Sequence, residues 1–157
     1  MVIPIGIIGC GNIFTAYLDT LRKQRKVRIV GIADANAAAA QARAAEFGVT
    51  AMSVDELLAG PATVVLNITP PLAHHMVGAA VLNAGKHLFT EKPLAATFAQ
   101  GQELVALATR RQLRLGCAPD TVLGAGSQAV RALVDSGAVG RIVGGSAQFM
   151  SHGPDHW

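Results

Sequence analysis

The sequence predicts an α/β fold in which helices cover both faces of a mostly parallel, doubly wound β-sheet. Short apolar runs without polar alternation, typical of strands buried on both faces, alternate with longer Ala-rich segments of helical period. Strand and helix repeated at this spacing indicate βαβ units with right-handed crossovers. With 51% hydrophobic and 15% charged residues in 157, the chain has enough apolar side chains for one such core.

Each element has its own signal along the chain. The expected strands are apolar runs rich in Val, Ile or Leu, at residues 2–8, 27–33, 63–68, 87–90 and 113–117. The expected helices lie between them, at residues 12–24, 36–47, 72–83 and 97–112. In the first helix, Ile13, Tyr17 and Leu21 recur at helical spacing on one face. Gly48 and Gly85 stand where a left-handed residue commonly ends a helix.

Charge and hydropathy exclude other classes of protein. The net charge is +3 and the basic block at residues 22–26 contains no aromatic residue, so we expect no nucleic-acid partner. Residues 57–85 carry no charge, but prolines, glycines and histidines divide them, and we interpret them as a strand, a loop and a helix. We expect no membrane segment and, because no Lys or Arg precedes Arg22, no signal peptide.

Cys10 and Cys117 are the two cysteines of the chain. Their separation fits neither the spacing of metal ligands nor the disulfide framework of a small secreted domain. Two free thiols suit a reducing compartment, so we expect a cytoplasmic protein without a metal site.

The pattern of the chain changes after Cys117. A loop there is followed by a helix at residues 126–136, which Gly137 ends, and by a strand-like segment at residues 142–150. Such a strand presents an unpaired edge unless another sheet accepts it. We therefore expect the sheet domain at residues 1–119. Residues 120–157 would then hold a linking helix and the first strand of a second sheet domain, as the front part of a longer polypeptide.

A glycine-rich turn follows the first strand and opens the first helix, with the order Gly9-Cys10-Gly11-Asn12-Ile13-Phe14. Gly9 suits a tight turn, and Gly11 lets the backbone approach a pyrophosphate. The free N–H groups at the helix start, around Asn12 and Ile13, suit an anion. Phe14 stands where dinucleotide-binding turns usually have a third glycine, and a simple pair of turn glycines is the alternative interpretation.

Asp34 stands at the end of the second strand, 23 residues after Gly11. A carboxylate at this place can accept hydrogen bonds from both hydroxyls of an adenosine ribose, which predicts a dinucleotide site. The carboxylate would meet a 2′-phosphate with like charge, residues 35–40 contain no cation, and Arg43 lies further along the next helix. We therefore expect NAD rather than NADP. The alternative is that Asp34 caps the helix that follows it.

Two further groups of residues follow strands at the same edge of the predicted sheet. Thr69, Pro70 and Pro71 stop the third strand where ligands of such folds bind. His74 comes in the first turn of the next helix. It is a candidate cofactor contact, although a lone histidine there is more often a buried residue of the helix start.

Glu91, Lys92 and Pro93 directly follow the fourth strand. Lys92 can pair with Glu91 and lie beside a nicotinamide, whereas a surface ion pair before a turn is the alternative. An X-Pro bond in such a tight turn is also a candidate for the cis form, so we expect a cis Lys92-Pro93 bond that directs Lys92 into the cleft.

Together these residues resemble the glucose-fructose oxidoreductase, inositol dehydrogenase and rhizopine-catabolism (Gfo/Idh/MocA) oxidoreductases. The resemblance runs through residues 6–12, 32–34, 69–74, 84–87 and 91–94, and residues 116–124 and 135–140 resemble the sugar-oxidising branch. It implies a Rossmann domain and NAD(P)-dependent hydride transfer at a sugar or polyol hydroxyl, with Lys92 as the catalytic lysine. The expected cofactor-binding residues are Gly9, Gly11, Asn12, Ile13, Asp34, Thr69, Pro70, Pro71, His74, Glu91 and Lys92.

The resemblance also shows what is missing. Members of this family carry a second, sheet-based domain that holds the substrate and supplies an Asp-x-x-x-His pair, and no such pair occurs between Asp34 and Trp157. We therefore expect the nucleotide-binding part of a dehydrogenase, inactive by itself, with a sugar or polyol as substrate and a homo-oligomeric full-length chain. The alternative is a non-catalytic module that senses NAD(P), although such a module has no need of a cation at Lys92.

Overall fold

The computed structural model describes residues 1–119, 121–148 and 150. The chain divides into two compact units, Met1–Pro119 and Asp120–Trp157. The first unit contains every predicted site residue, and it is described first.

A five-stranded parallel sheet forms the centre of the first unit. Its strands are β1 (Ile3–Ile8), β2 (Val27–Ala33), β3 (Val64–Asn67), β4 (His87–Thr90) and β5 (Leu115–Cys117). Their order across the sheet is β2-β1-β3-β4-β5, and every neighbouring pair is parallel. The predicted parallel sheet is therefore confirmed. Because the strands are parallel, their carboxyl ends meet at one edge.

Helices cover both faces of the sheet, as a doubly wound fold requires. They are α1 (Phe14–Arg22), α2 (Ala37–Phe47), α3 (Val54–Ala59), α4 (His74–Asn83) and α5 (Phe98–Arg110). One buried cluster contains Phe14, Leu18 and Ala40 of α1 and α2. Another contains Leu57 of α3 together with side chains of α4 and α5. The central strand residues are thus buried between two layers of helix, which explains why their sequence shows no polar alternation.

The short helix α3 is absent from the sequence prediction. Ser53 caps it: the hydroxyl accepts a hydrogen bond from the Glu56 N–H at 3.1 Å, and the Glu56 carboxylate accepts one from the Ser53 N–H at 2.8 Å. This reciprocal pair is a capping box, so the signal Ser-x-x-Glu was present in the sequence. Its six residues are too short for the helical period to be recognised.

The second unit holds a single turn of 3-10 helix (Thr121–Leu123) and α6 (Ala125–Asp135) within its described residues. Gly137 follows α6 with a φ of +73°, so the predicted helix and the glycine that ends it are both found. Residues 142–148 and 150 form no strand within the described part of the chain, so the strand expected at residues 142–150, which depends on a second sheet, stays a prediction. A strand needs a neighbour for its N–H and C=O groups, and no described residue pairs with this segment.

Among the described helices, none combines the length and the apolar character needed to cross a bilayer.

Candidate functional site

The predicted site residues gather at the carboxyl edge of the sheet. The turn of residues 9–13 follows β1, Asp34 follows β2, Thr69 follows β3, and Lys92 comes two residues after β4. The chain passes from β1 outward to β2 and then crosses to β3 on the other side, so the strand order reverses between β1 and β3. Ligands of open α/β sheets bind in the crevice at such a reversal.

The turn after β1 requires glycine at its first position. Gly9 has a φ of +111°, and a Cβ there would lie 2.7 Å from the backbone carbon and oxygen of Ile68. Its N–H donates to the Ala33 carbonyl at 2.8 Å, which fixes the turn against the end of β2. At Gly11 a Cβ would meet nothing within 4 Å. The backbone at Gly11 therefore borders open space, as close approach of a pyrophosphate requires.

The amino end of α1 offers unpaired backbone donors at this open space. Within the described chain, the N–H groups of Asn12 and Ile13 donate no hydrogen bond, and the residue before the helix, Ile13, supplies no side-chain cap. The first turn of α1 contains no acidic residue. Unpaired N–H groups and the positive end of a helix dipole are the features that favour an anion at a helix start.

Phe14, the residue in place of a third glycine, is accommodated by burial. Its side chain is 0% exposed, and its ring lies 5.8 Å from that of Phe47, the last residue of α2, between ring centroids. The helix start is thus packed against a neighbouring helix through an aromatic pair. The space beside Gly11 stays open, since a Cβ there would meet nothing within 4 Å.

Asp34 is tied to the glycine-rich turn. Its Oδ2 accepts a hydrogen bond from the Cys10 N–H at 2.8 Å, and its Oδ1 accepts one from the Asn36 N–H at 2.8 Å. Asn36, whose side chain accepts from the Ala38 N–H, is the residue that caps α2. Asp34 therefore does not act as the helix cap. Each of its oxygens keeps a further lone pair for a ribose hydroxyl.

Arg43 is a site neighbour that sequence reasoning missed. Its Nε donates to the Cys10 carbonyl at 3.4 Å, and its guanidinium lies 5.9 Å from the centroid of the Phe14 ring. The same guanidinium forms an ion pair with Glu46 at 2.8 Å. Arg43 is far from the glycine-rich turn along the chain. Because α2 packs on the sheet, its side chain nevertheless lies beside that turn. The turn therefore has one carboxylate and one cation beside it.

A buried asparagine organises the turn after β3. Asn67 is 0% exposed, and its Oδ1 accepts from the Thr69 hydroxyl at 2.6 Å while its Nδ2 donates to the His74 carbonyl at 3.1 Å. Pro70 and Pro71 are exposed, and Pro71 begins a turn of 3-10 helix that leads into α4. Asn67 thus holds the Thr69 side of this turn against the first residue of α4.

His74 lies beneath the site. The side chain is 1% exposed, with Nδ1 lying 2.6 Å from the Pro93 carbonyl oxygen and Nε2 lying 2.8 Å from the Thr69 carbonyl oxygen. This geometry favours the interpretation as a buried histidine of the helix start over direct contact with a cofactor.

The Glu91 carboxylate is held by hydrogen bonds that do not involve the Lys92 ammonium. The Glu91 carboxylate accepts from the Tyr17 hydroxyl at 2.7 Å and from the Lys92 backbone N–H at 2.9 Å. Within the described part of the chain the Lys92 ammonium makes no ion pair, so the expected pairing with Glu91 is not formed. Lys92 is exposed, and the Lys92-Pro93 bond is cis, as expected.

Two thiols border the site. Burial raises the pKa of the Cys10 thiol to about 11; the Asp34 carboxylate adds to the rise and the Arg43 guanidinium opposes it. Partial burial and then the Glu91 carboxylate raise the pKa of the Cys117 thiol. Cys10 is buried, whereas Cys117 is exposed, and both are free. In the described residues no group of three His, Cys, Asp or Glu side chains is placed to hold a metal ion.

Alkylation of the folded chain at neutral pH should modify Cys117 well before Cys10. Reaction requires both access and the thiolate, and Cys10 is disfavoured on both counts, so we expect its rate to be at least about tenfold lower. Mass spectrometry of peptides after timed iodoacetamide treatment measures both rates. A Cys117→Ser variant reports Cys10 alone, and equal rates for the two thiols in the folded chain would contradict the burial of Cys10.

Comparisons with known proteins identify the family and the fold. The model of the oxidoreductase family with an NAD-binding Rossmann fold matches residues 3–118. The chain is 34% identical over 148 residues to dTDP-3,4-didehydro-2,6-dideoxy-alpha-D-glucose 3-reductase of Streptomyces violaceoruber, covering 92% of this chain and 43% of the reductase.

Two solved structures share the fold. The WlbA dehydrogenase from Bordetella pertussis, in complex with NADH and UDP-GlcNAcA, superposes with a TM-score of 0.84 and 29% identity, over 89% of this chain and 41% of that one. The biliverdin reductase from Synechocystis, in complex with biliverdin and NADP+, superposes with a TM-score of 0.73 and 30% identity, over 85% and 43%. The chain thus spans about two fifths of the length of these relatives. It belongs to the Gfo/Idh/MocA oxidoreductase family, and its first unit is that family's NAD-binding Rossmann domain.

Proposed function

We propose that this chain is the nucleotide-binding part of an oxidoreductase that transfers a hydride between a sugar or polyol hydroxyl and the nicotinamide of NAD. The observation that carries the proposal is the junction of the glycine-rich turn with Asp34. A carboxylate that accepts the Cys10 N–H at 2.8 Å stands beside a helix start with unpaired N–H groups. This pairing provides a carboxylate for ribose hydroxyls next to donors for a pyrophosphate.

Different residues at the carboxyl edge of the sheet would hold different parts of the cofactor. The N–H groups of Asn12 and Ile13 would bind the pyrophosphate, with Gly11 leaving room for it. Asp34 would bind the ribose, and the turn of half-buried Thr69 and exposed Pro70 would border the dinucleotide on the β3 side. Bound NAD supplies the hydride acceptor, and the chain supplies position and charge.

Lys92 is the residue that we assign to catalysis. Glu91 is held by the Tyr17 hydroxyl and by the Lys92 N–H, and its carboxylate forms no ion pair with the Lys92 ammonium in the described chain. A cation kept at the carboxyl edge stabilises the negative charge that forms on a sugar oxygen when its hydroxyl proton passes to a base. Relatives that act on or bind nucleotide sugars support a sugar-type substrate.

Asp34 supports NAD over NADP as the cofactor. Two backbone N–H groups hold its carboxylate in place, so it cannot turn away from a 2′-phosphate without losing them. Arg43 is the nearby cation, but it is paired with Glu46. The like charge at Asp34 therefore outweighs the cation at this position.

Calorimetric titration with NADH and a dehydrogenase assay with a panel of sugars and polyols test the proposal. We expect one NADH site on the chain and no turnover by residues 1–157, because the substrate residues of the family lie in a further domain. Absence of NADH binding, or measurable turnover by this chain, would overturn it.

The rival function, a non-catalytic NAD-sensing module, predicts the same binding. It differs in predicting no turnover by any longer protein that contains these residues.

Free thiols at Cys10 and Cys117 support a reducing compartment, and we propose the cytoplasm.

A further inference from the structure

Cations collect at the amino edge of the sheet, opposite the edge that carries Asp34 and Lys92. Because the strands are parallel, the segments that lead into them all lie at this edge. A lysine or arginine directly precedes three of the strands, with Lys26 before β2, Lys86 before β4 and Arg114 before β5. With their neighbours they form the basic edge, which holds nine of the chain's 13 lysines and arginines: Arg22, Lys23, Arg25, Lys26, Arg28, Lys86, Arg110, Arg111 and Arg114.

The protein does not neutralise the basic edge. Within the described chain none of the nine cations forms an ion pair. Arg22 donates to the Phe47 carbonyl and Lys86 to the Gly60 carbonyl, whereas the other seven side chains are exposed and make no hydrogen bond within the described residues. The nearest acidic residue along the chain is Asp19, in the second half of α1. No Asp or Glu occurs in the segments that lead into the five strands, at residues 1–2, 22–26, 60–63, 84–86 and 110–114.

The basic edge has the length of a short stretch of duplex nucleic acid. Its two larger groups, at residues 22–28 and 110–114, lie at the amino ends of β2 and β5, the outermost strands of the sheet. Four strand spacings of about 4.8 Å separate these strands, so the groups lie roughly 19 Å apart, with Lys86 between them. A duplex carries one negative charge per about 1.7 Å of its axis, so about eleven phosphate charges occupy the same length. The duplex thus offers enough phosphates for every cation of this edge.

The chemistry of the basic edge favours phosphate over other anionic surfaces. Most of its cations are arginines, whose planar guanidinium binds phosphate through two parallel hydrogen bonds. Residues 22–28 and 110–114 contain no aromatic side chain, although protein interfaces and single-stranded nucleic acids are commonly held by such side chains. Val2 and Ile3 are exposed at the amino end of β1, but two aliphatic side chains are a small anchor for a membrane surface. A row of phosphates, bound without stacking of bases, fits this edge best.

The sequence expectation of no nucleic-acid partner rests on residues 22–26 alone. Residues 110–114 are far from that block along the chain, and only the fold places the two groups at one edge. We propose that the basic edge binds the phosphate backbone of duplex nucleic acid without sequence preference. Because the glycine-rich turn lies at the opposite edge of the sheet, this surface leaves the dinucleotide site open and does not depend on the function proposed above.

Fluorescence anisotropy of a labelled DNA duplex of mixed sequence, titrated with residues 1–157 at several salt concentrations, measures this binding. Each phosphate contact releases about 0.9 of a counterion, so seven unpartnered cations predict a slope of about −6 for log K against log salt. The affinity should therefore fall about 10³–10⁴-fold between about 50 and 200 mM salt. Absence of binding at the lower salt concentration would overturn the proposal.

Two pairs of substitutions locate the surface. Arg25→Gln with Lys26→Gln and, separately, Arg110→Gln with Arg111→Gln should each reduce the magnitude of the slope by about 2, because each pair removes two phosphate contacts. These side chains are exposed and make no contact with the described chain, so circular dichroism should show an unchanged fold.

Arg131→Gln with Arg141→Gln is the matched control, since it removes the same charge from the second unit. The slope should then keep its wild-type value. A control pair that reduces the slope as much as the pairs at the basic edge would show an effect of net charge alone and overturn the proposal.

Titrations at equal ionic strength with phosphatidylserine vesicles and with a polyglutamate peptide test other anionic partners. We expect both to bind more weakly than the duplex, and tighter binding of either would overturn the proposal. Saturating NADH should leave the duplex affinity unchanged. If the chain binds no NADH, the function proposed above fails, whereas the duplex titration still decides the role of the basic edge.

Discussion

Replacing Gly9 with alanine should lower the free energy of unfolding by about 3 kcal/mol and abolish NAD binding. An added Cβ would lie 2.7 Å from the Ile68 carbonyl carbon and oxygen and 2.8 Å from the Thr69 nitrogen, so backbone must move. A φ of +111° adds strain for any residue with a side chain. Overpacking costs about 1–3 kcal/mol and the unfavourable φ about 1–2 kcal/mol. Urea denaturation measures the loss.

Gly11→Ala is the matched control for this prediction. A Cβ at Gly11 meets nothing within 4 Å, so the stability should change by less than about 1 kcal/mol. NAD affinity should still fall, because the methyl group would enter the space that the pyrophosphate needs. A Gly9→Ala chain as stable as the wild type, or a Gly11→Ala chain that binds NAD unchanged, would contradict the account of this turn.

Removing the charge of Asp34 should remove most of the discrimination between NAD and NADP. We expect the wild-type chain to prefer NAD roughly a hundredfold, since each 1.4 kcal/mol is about tenfold and a like-charge contact costs a few kcal/mol. Asp34→Asn keeps an acceptor oxygen for a backbone N–H and loses the charge, so NADP should gain affinity. Asp34→Ala also loses the bonds to the Cys10 and Asn36 N–H groups, and NAD should bind more weakly to it.

The Arg43→Gln variant tests the contribution of the Arg43 cation separately from that of the Asp34 carboxylate. If Arg43 contributes to a 2′-phosphate site, this change lowers NADP affinity and leaves NAD affinity unchanged. Titrations with both oxidised cofactors at equal ionic strength measure the ratio, because salt screens exposed charges. A wild-type chain that binds NADP as tightly as NAD would contradict the assignment of Asp34.

The sequence was sufficient to predict features that depend on local pattern. Strand runs, helix periods and the turn glycines are short-range signals, and the sheet edge that collects Asp34, Thr69 and Lys92 follows from parallel connectivity alone. The cis bond before Pro93 was also predictable, because proline at a tight turn is a local property.

Features that depend on packing could not be predicted from the sequence. Arg43 reaches the Cys10 carbonyl because α2 folds back along the sheet, which no count of residues reveals. The hydrogen bonds of Asn67 to the His74 carbonyl and of His74 to the Pro93 carbonyl depend on how the turns fold. The strand expected at residues 142–150 depended on a partner strand, and apolar composition alone supplies none.

A ¹H–¹⁵N correlation spectrum of the chain titrated with NADH tests most directly whether the dinucleotide binds at the junction of the glycine-rich turn and Asp34. We expect the amides of Gly11, Asn12, Ile13 and Asp34 to shift first and most, because these residues form the unpaired helix start and carry the ribose carboxylate. The amide of Lys92 should follow as the nicotinamide side is occupied. Two results would contradict binding at this junction. One is saturation of the chain with NADH without a change in the chemical shifts of these amides, and the other is no amide shift at millimolar NADH.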